Sequence, residues 1–178
     1  NACGFYETIN VTFTDNTISG LFYESDSGYL SVKDESRKSA NVLRQTLIGS
    51  LMGVFQTNVN AKNLPCRIFE IADTFVPVKD NSDVLPNEQA KLALVCDGDL
   101  RILTGVVEGL IKNISRNAVI EITPSDLKWA QTGAQIKVNS QPIGIMGVVG
   151  TNIKDKFDLK EVTPCAAEIN FEFLLQLE

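Results

Sequence analysis

At 178 residues, with 44% hydrophobic and 21% charged side chains, the chain has ordinary globular composition and enough length for one well-buried core. Its 22 acidic against 16 basic residues give a net charge of −6, and no basic tract with interleaved aromatics runs along it, so the footprint of a direct nucleic-acid binder is missing and any RNA would be gripped by another chain or domain. Histidine is absent, which removes Ser-His-Asp and Cys-His triads, HExxH zinc sites and every histidine general base.

No apolar run approaches the ~20 residues that span a bilayer and no signal-peptide pattern opens the chain, so a soluble, cytoplasmic protein without a membrane partner is expected. Cys3, Cys66, Cys96 and Cys165 lie far apart with no CxxC, and three of them sit in or beside apolar runs. That spacing suits reduced, packed thiols better than a disulfide framework or a zinc site. The opening "NACGFYE" lacks methionine and runs at once into strand-like sequence, as a fragment cut from a longer polypeptide would, with Asn1 and Ala2 read as an expression scar.

In chain order, residues 4 to 13 alternate Phe5, Ile9, Val11 and Phe13 against Tyr6, Thr8, Asn10 and Thr12, which predicts a strand. A polar, exposed loop then feeds a helix over Val42 to Val59, with Leu43, Leu47, Leu51 and Phe55 in one row and Ser39 or Asn41 able to cap it. Gly49 and Gly53 on that helix cost ~1 kcal/mol each relative to Ala, which close packing against another backbone would explain.

After Pro65 comes a strand, "RIFEIADTF", then a hairpin loop over residues 79 to 90 and the returning strand "KLALVC". Leu100, Leu103, Val107, Leu110, Ile111 and Ile114 recur at helical spacing. "AVIEIT" reads as a strand, "PSDLKWAQTG" as a short capped helix, and "AQIKV" with "IGIMGVV" as a hairpin around "NSQP". "NIKDKFDL" reads as a last short helix before "CAAEINFEF", where Cys165, Ala167, Ile169, Phe171 and Phe173 line one face. Strands in hairpin order with three or four helices predict an α+β fold, a mainly antiparallel sheet with helices to one side, in a single domain over residues 1–178.

One feature of the strand at 67 to 75 calls for a physical explanation. Glu70 shares its face with Ile68 and Ala72, while Arg67, Phe69, Ile71 and Phe75 look the other way. A carboxylate on a covered face needs a partner, and Arg44 on the preceding helix is the expected one, unless the face is solvated and Glu70 pairs with nothing.

Other motifs carry less. Gly144, Gly147 and Gly150 fall inside an apolar strand, and no Lys-Ser or Lys-Thr follows, so close packing is the expected use rather than a phosphate loop. Asp97, Asp99, Glu121 and Asp126 read as helix caps and solvated faces, and as a magnesium site they would have to converge. "NVT" at 10 to 12 and "NIS" at 113 to 115 match glycosylation acceptors that a cytoplasmic chain would not use. No catalytic, cofactor-binding or metal-ligating residues are assigned.

The stretch "NVLRQTLIGSLMGVFQTNVNAKNLPCRIFEIADTFVP" resembles the core of the β subunit of bacterial phenylalanyl-tRNA synthetases. There, a helix reached through an L-R-x-x-L-type run leads to a strand ending F-E-x-x-x-x-F. "CGFYETINVTF", "GDLRILTGVVEGLI", "QPIGIMGVVG" and "AAEINFEFLLQL" follow the same order, so the likeness covers nearly the whole chain.

The resemblance implies a module with the fold of a class II aminoacyl-tRNA synthetase catalytic domain that has lost its chemistry and docks on the catalytic α subunit of an αβ heterotetramer. Active class II enzymes place Arg-x-Glu on the second-motif strand, whereas here the residue two before Glu70 is Ile68. Arg67 is one step off and therefore on the opposite face. The third motif is also missing, since "GIMGVVGTNIK" offers no arginine, and Val149, Gly150 and Thr151 stand where the family commonly has His-Pro. Without those arginines the chain lacks the groups that grip ATP phosphates.

By the same resemblance, ATP and magnesium belong to the α subunit's active site, and tRNA(Phe) is bound by other modules of the holoenzyme. Arg44, Arg67, Phe69, Glu70 and Phe75 are the structural and interface candidates, with the helix from Val42 to Val59 and the sheet edge near Arg67 as the expected docking surface. The alternatives are a freestanding amino-acid-binding or regulatory module of the same fold, and an independent ligase working with carboxylates and Lys.

Overall fold

The computed structural model describes residues 3–23, 28–32, 39–78 and 85–177. Among them nine strands and five helices follow one another as β1 (Tyr6–Glu7), β2 (Phe13–Thr14), α1 (Asn16–Phe22), β3 (Val42–Leu43), α2 (Ile48–Asn60), β4 (Arg67–Val76) and β5 (Asn87–Asp97). Then come α3 (Leu100–Ile114), β6 (Ile120–Pro124), β7 (Ala130–Val138), β8 (Gln141–Val149), α4 (Thr151–Lys156), β9 (Pro164–Asn170) and α5 (Phe171–Leu175). Seven of the strands form one sheet in the order β1-β4-β5-β9-β8-β7-β6, antiparallel throughout except for the parallel β1–β4 pair. The fold is α+β with a large antiparallel sheet, and β2 and β3 make a separate two-stranded ribbon.

The helices cover both faces of the sheet, not one. The central strands explain this: "LALVC" in β5 and "CAA" in β9 are apolar at every position, so they bury both faces. Leu92, Leu94, Cys96, Cys165, Ala167 and Ile169 pack toward Leu103, Val107 and Ile111 of α3. Ala93, Val95 and Ala166 pack toward Ile48, Leu51, Met52 and Phe55 of α2, with Phe22, Trp129, Ile153 and Phe157 closing that side.

Several elements depart from the sequence pattern. The strand expected over residues 4 to 13 is paired only at β1 and again at β2; between them Ile9 and Val11 stand 93% and 74% exposed. The alternation is there but the ladder is not, because this segment runs along the sheet edge and is held inward through Thr8 N–H to Phe69 O (2.8 Å) and Asn10 N–H to the Glu70 side chain (3.1 Å).

Helix α2 starts at Ile48 rather than Val42, and neither Ser39 nor Asn41 caps it. Residues 42 to 47 are held out of the helix by the β2–β3 ribbon and by bonds from Arg44 N–H to Thr12 O (3.1 Å) and from Phe75 N–H to Arg44 O (2.9 Å). Of its two glycines, Gly49 fits the close-packing expectation, since a Cβ there would sit 3.2 Å from Ile18 Cγ2. Gly53 faces nothing within 4 Å.

The helix expected at 124 to 133 is a turn running into β7, because Ser125 N–H bonds Gly133 O (3.0 Å) and draws the segment back onto the strand. Phe171 and Phe173 belong to α5 instead of continuing β9, since the Asn170 side chain accepts from Phe173 N–H (3.0 Å) and starts a helix. Helix α1, inside the stretch read as polar loop, is capped by Asp15 Oδ1 accepting from Thr17 N–H (2.7 Å). The expected hairpin loop at 79 to 90 lies partly outside the described residues, and β5 already begins at Asn87. Asn1 and Ala2 also lie outside them.

Candidate functional site: a row of buried carboxylates on the α2 face

Strand register places Glu70 beside Ala93, Ala93 beside Glu168, and Glu168 beside Ile145. The two glutamates thus lie in one row on the α2 face, two strand spacings or about 9–10 Å apart. They are 2% and 6% exposed. A bare carboxylate buried to that degree would cost several kcal/mol, so its partners decide what it can do.

Glu70 Oε1 accepts from Arg44 Nη1 (2.9 Å) and from the Asn10 backbone N–H (3.1 Å), and its Oε2 accepts from Asn10 Nδ2 (2.8 Å). Arg44 is 4% exposed and also donates through Nε to Asp73 O (3.0 Å). It approaches Glu70 from the extended strap ahead of α2 and not, as expected from sequence, from the helix itself. Glu168 Oε1 accepts from Thr46 Oγ1 (2.8 Å) and Leu47 N–H (2.7 Å), while Lys91 Nζ donates to Oε2 (3.0 Å). Leu47 offers no capping side chain, so Glu168 serves as the anionic cap of α2 from another strand.

The strap from Arg44 to Leu47 is therefore latched to the sheet at both ends by carboxylates. Each glutamate receives three donors, which leaves neither poised as a general base over open space. Beside Glu168 a cleft of about 330 Å³ is lined by Phe22, Tyr23, Gln89, Lys91, Ile145 and Asn170, with Lys91 Nζ 5.9 Å from the Tyr23 ring centroid.

Of the sequence candidates, Arg44 and Glu70 come together. Arg67, Phe69 and Phe75 lie on the other face, as strand alternation requires, with Phe69 packed against the α3-side core. Ile68, at the position of the class II arginine, is 5% exposed inside the apolar α2-side cluster. A triphosphate with magnesium does not fit this donor set: its arginine position is aliphatic and its carboxylates are spent on the protein's own donors. Among the described residues no group of three or more Cys, Asp or Glu side chains could hold a metal ion. Asp99 caps α3 instead, accepting from Arg101 N–H (2.9 Å) with Arg101 Nε alongside (2.9 Å), and the first of these chiefly holds its carboxyl below the usual range.

Glu168, Lys91 and Thr46 were not singled out by sequence reasoning. Glu168 carried the same signal as Glu70: a carboxylate in a strand, sharing its face with an alanine between apolar neighbours. The glycine-punctuated strand β8 is a packing device, since a Cβ on Gly144 would collide with Glu168 O and one on Gly147 would sit 2.6 Å from Thr132 O. Cys96 and Cys165 face each other across β5 and β9, and burial pushes their thiols up to about 12 and about 11, as it does Cys66 to about 11.

Residues 1–171 match the family model described as the phenylalanyl tRNA synthetase beta chain CLM domain. The chain belongs to this family. Among its relatives is the phenylalanine–tRNA ligase beta subunit of Francisella tularensis, 26% identical over 188 residues that cover 97% of this chain and 23% of that protein. The beta subunit of Syntrophus aciditrophicus is 27% identical over 178 residues, covering 88% of this chain and 22% of its own length. The chain thus spans under a quarter of the curated relatives it matches.

Solved structures give the same fold at lower identity. A pyrrolysyl-tRNA synthetase from Desulfitobacterium hafniense superposes with a TM-score of 0.73 at 16% identity, covering 97% of this chain and 62% of that one. A Giardia lamblia prolyl-tRNA synthetase in complex with prolyl-adenylate gives 0.75 at 12%, covering 98% and 41%. The CLM-family chain has the class II synthetase catalytic fold. Among its described residues no helix is long and apolar enough to cross a membrane.

Proposed function

We propose that this chain is a non-catalytic structural module of a cytoplasmic phenylalanine–tRNA ligase β subunit, supporting a catalytic α subunit in an αβ heterotetramer that charges tRNA(Phe). The observation that carries this reading is the latched carboxylate row. In the position where a class II enzyme handles ATP, Glu70 and Glu168 take six donors from the protein's own strap, edge segment and Lys91. The role left to the module is burial of an interface. ATP and magnesium then act on the α subunit, and tRNA(Phe) is bound by other modules, in keeping with the charge of −6 on this chain. Arg67, Phe69 and Phe75, which face away from the row, are its candidate interface side chains.

Mixing the chain with the cognate α subunit and measuring mass by light scattering behind size exclusion tests this. A stable complex is expected, together with no ATP–pyrophosphate exchange by the chain alone. Exchange activity without α would overturn the non-catalytic reading, and failure to associate would overturn the docking role.

A further inference from the structure

The chain is acidic overall, with 22 carboxylate against 16 basic side chains. The cleft at the foot of β4 departs from that balance. It encloses about 500 Å³ between β1, the last turn of α2 and the turn that follows, and its polar lining includes Tyr6, Asn58, Lys62, Asn63 and Arg67. Two cations border it and no carboxylate does.

Arg67 Nε is shut off from solvent and has no acceptor among the described residues. Neither Arg67 nor Lys62 enters an ion pair among them. The nearest acidic group along the ladder is Asp97, one residue beyond Cys96, which is the register partner of Arg67. Strand alternation turns Asp97 to the opposite face, and its Oδ1 is likewise buried without a donor. A donor and an acceptor that would satisfy each other are thereby kept apart, and the guanidinium is left for something else.

A guanidinium offers paired N–H donors in a plane that matches two oxygens of a carboxylate or phosphate. Lys62 adds a point charge, part of which is spent on the carbonyl end of α2 that it follows. We propose that this cleft binds one oxyanion, a carboxylate or a phosphate, held by Arg67 with Lys62 as the secondary charge. The anion is either a small molecule in solution or an acidic side chain of a bound protein. The site is on the edge of the sheet, away from the latched carboxylate row, and does not depend on the docking role above.

The test is a titration of the full chain followed by proton–nitrogen correlation spectra that include arginine Nε–Hε signals. Inorganic phosphate and acetate are the probes, with sodium chloride at matched ionic strength as the reference. The Arg67 Nε–Hε signal is expected to move saturably with phosphate or acetate and not with chloride. Arg67→Gln is expected to weaken binding about tenfold or more, and Lys62→Gln about two- to threefold. Tighter binding of phosphate assigns the site to a free phosphate-type ligand. Equal or tighter binding of acetate assigns it to a carboxylate, and hence to an acidic side chain. Shifts that track ionic strength alone, or no shift, would overturn the proposal. Should Arg67→Gln fail to fold, the chloride comparison on the unaltered chain and the exposed Lys62→Gln variant decide it.

Discussion

Replacing Glu70 by Gln keeps the volume of the side chain and removes its charge. In the folded protein that leaves the Arg44 guanidinium, 4% exposed, with the Asp73 carbonyl as its remaining acceptor and no counter-charge. The new amide also turns an N–H₂ toward donors at Arg44 or Asn10, which now face another donor. Breaking one member of a buried pair typically costs ~3–5 kcal/mol. For a chain of this length each kcal/mol moves the midpoint by ~2–4 °C, so Glu70→Gln should melt roughly 6–20 °C lower. Urea unfolding of Glu70→Gln, Arg44→Met and the double variant closes a cycle, and the double variant should be less damaged than the sum of the singles, because the uncompensated charge is gone. A loss below about 1 kcal/mol for Glu70→Gln would mean that the pair behaves as an exposed one and that the latch is not structural.

The second carboxylate separates into two effects. Glu168→Gln weakens the anionic cap on Leu47 N–H and should cost ~1.5–3 kcal/mol by urea unfolding, whereas Lys91→Met, at the more exposed end of the pair, should cost ~1 kcal/mol or less. The buried thiols set an alkaline limit: Cys66, Cys96 and Cys165 are raised when folded, so the unfolded chain loses its thiol protons first. Their stabilising contribution is complete below about pH 9 and is lost as pH rises through about 11 to 12. Each displaced thiol should steepen the fall in unfolding free energy by ~1.4 kcal/mol per pH unit, and Cys96→Ala should flatten it. Iodoacetamide on the native protein at pH 8 should label Cys3, which is exposed, and spare the other three, as peptide mass mapping would show. Gly144→Ala should be poorly tolerated, with a lower melting midpoint, because its Cβ meets the backbone carbonyl of Glu168 and neither strand can yield without breaking the ladder.

The long strands and α3 were legible because their periodicity is uninterrupted: ten residues of β4 alternate, and α3 repeats its apolar row for four turns. The strap at 42 to 47 was misread as helix because Leu43 and Leu47 fit a helical row that continues into α2. What overrides that pattern is tertiary: a ribbon partner at Thr14, bonds to Thr12 and Phe75, and a cap from Glu168, which lies 121 residues away from Leu47. No local rule sees such a cap. Phe171 and Phe173 misled in the opposite direction, since alternating aromatics after a strand look like more strand until Asn170 folds back to cap. The pairing of Glu70 with Arg44 could be anticipated from burial cost alone, while its third donor, Asn10, sits on the edge segment and depended on a chain path that sequence does not reveal.

The latched strap bears directly on whether this face could take a ligand. Anything settling over the carboxylate row would have to displace Arg44, Thr46 and Leu47, and so break three bonds to ionised oxygens. At ~1.5–3 kcal/mol each, those bonds hold the strap by roughly 5–9 kcal/mol before any packing of α2 is counted. A micromolar ligand brings about 8 kcal/mol in total. An amino acid is too small to supply that and also offset the loss, so binding at the row would be millimolar or weaker. The freestanding amino-acid-binding alternative is thereby confined to the cleft beside Lys91, where Lys91 and the ring of Tyr23 would have to recognise the ligand without moving the strap. Isothermal titration with phenylalanine and the other protein amino acids, repeated on Lys91→Met, puts that to the test: no heat beyond dilution is expected, and saturable binding lost in the variant would revive the alternative.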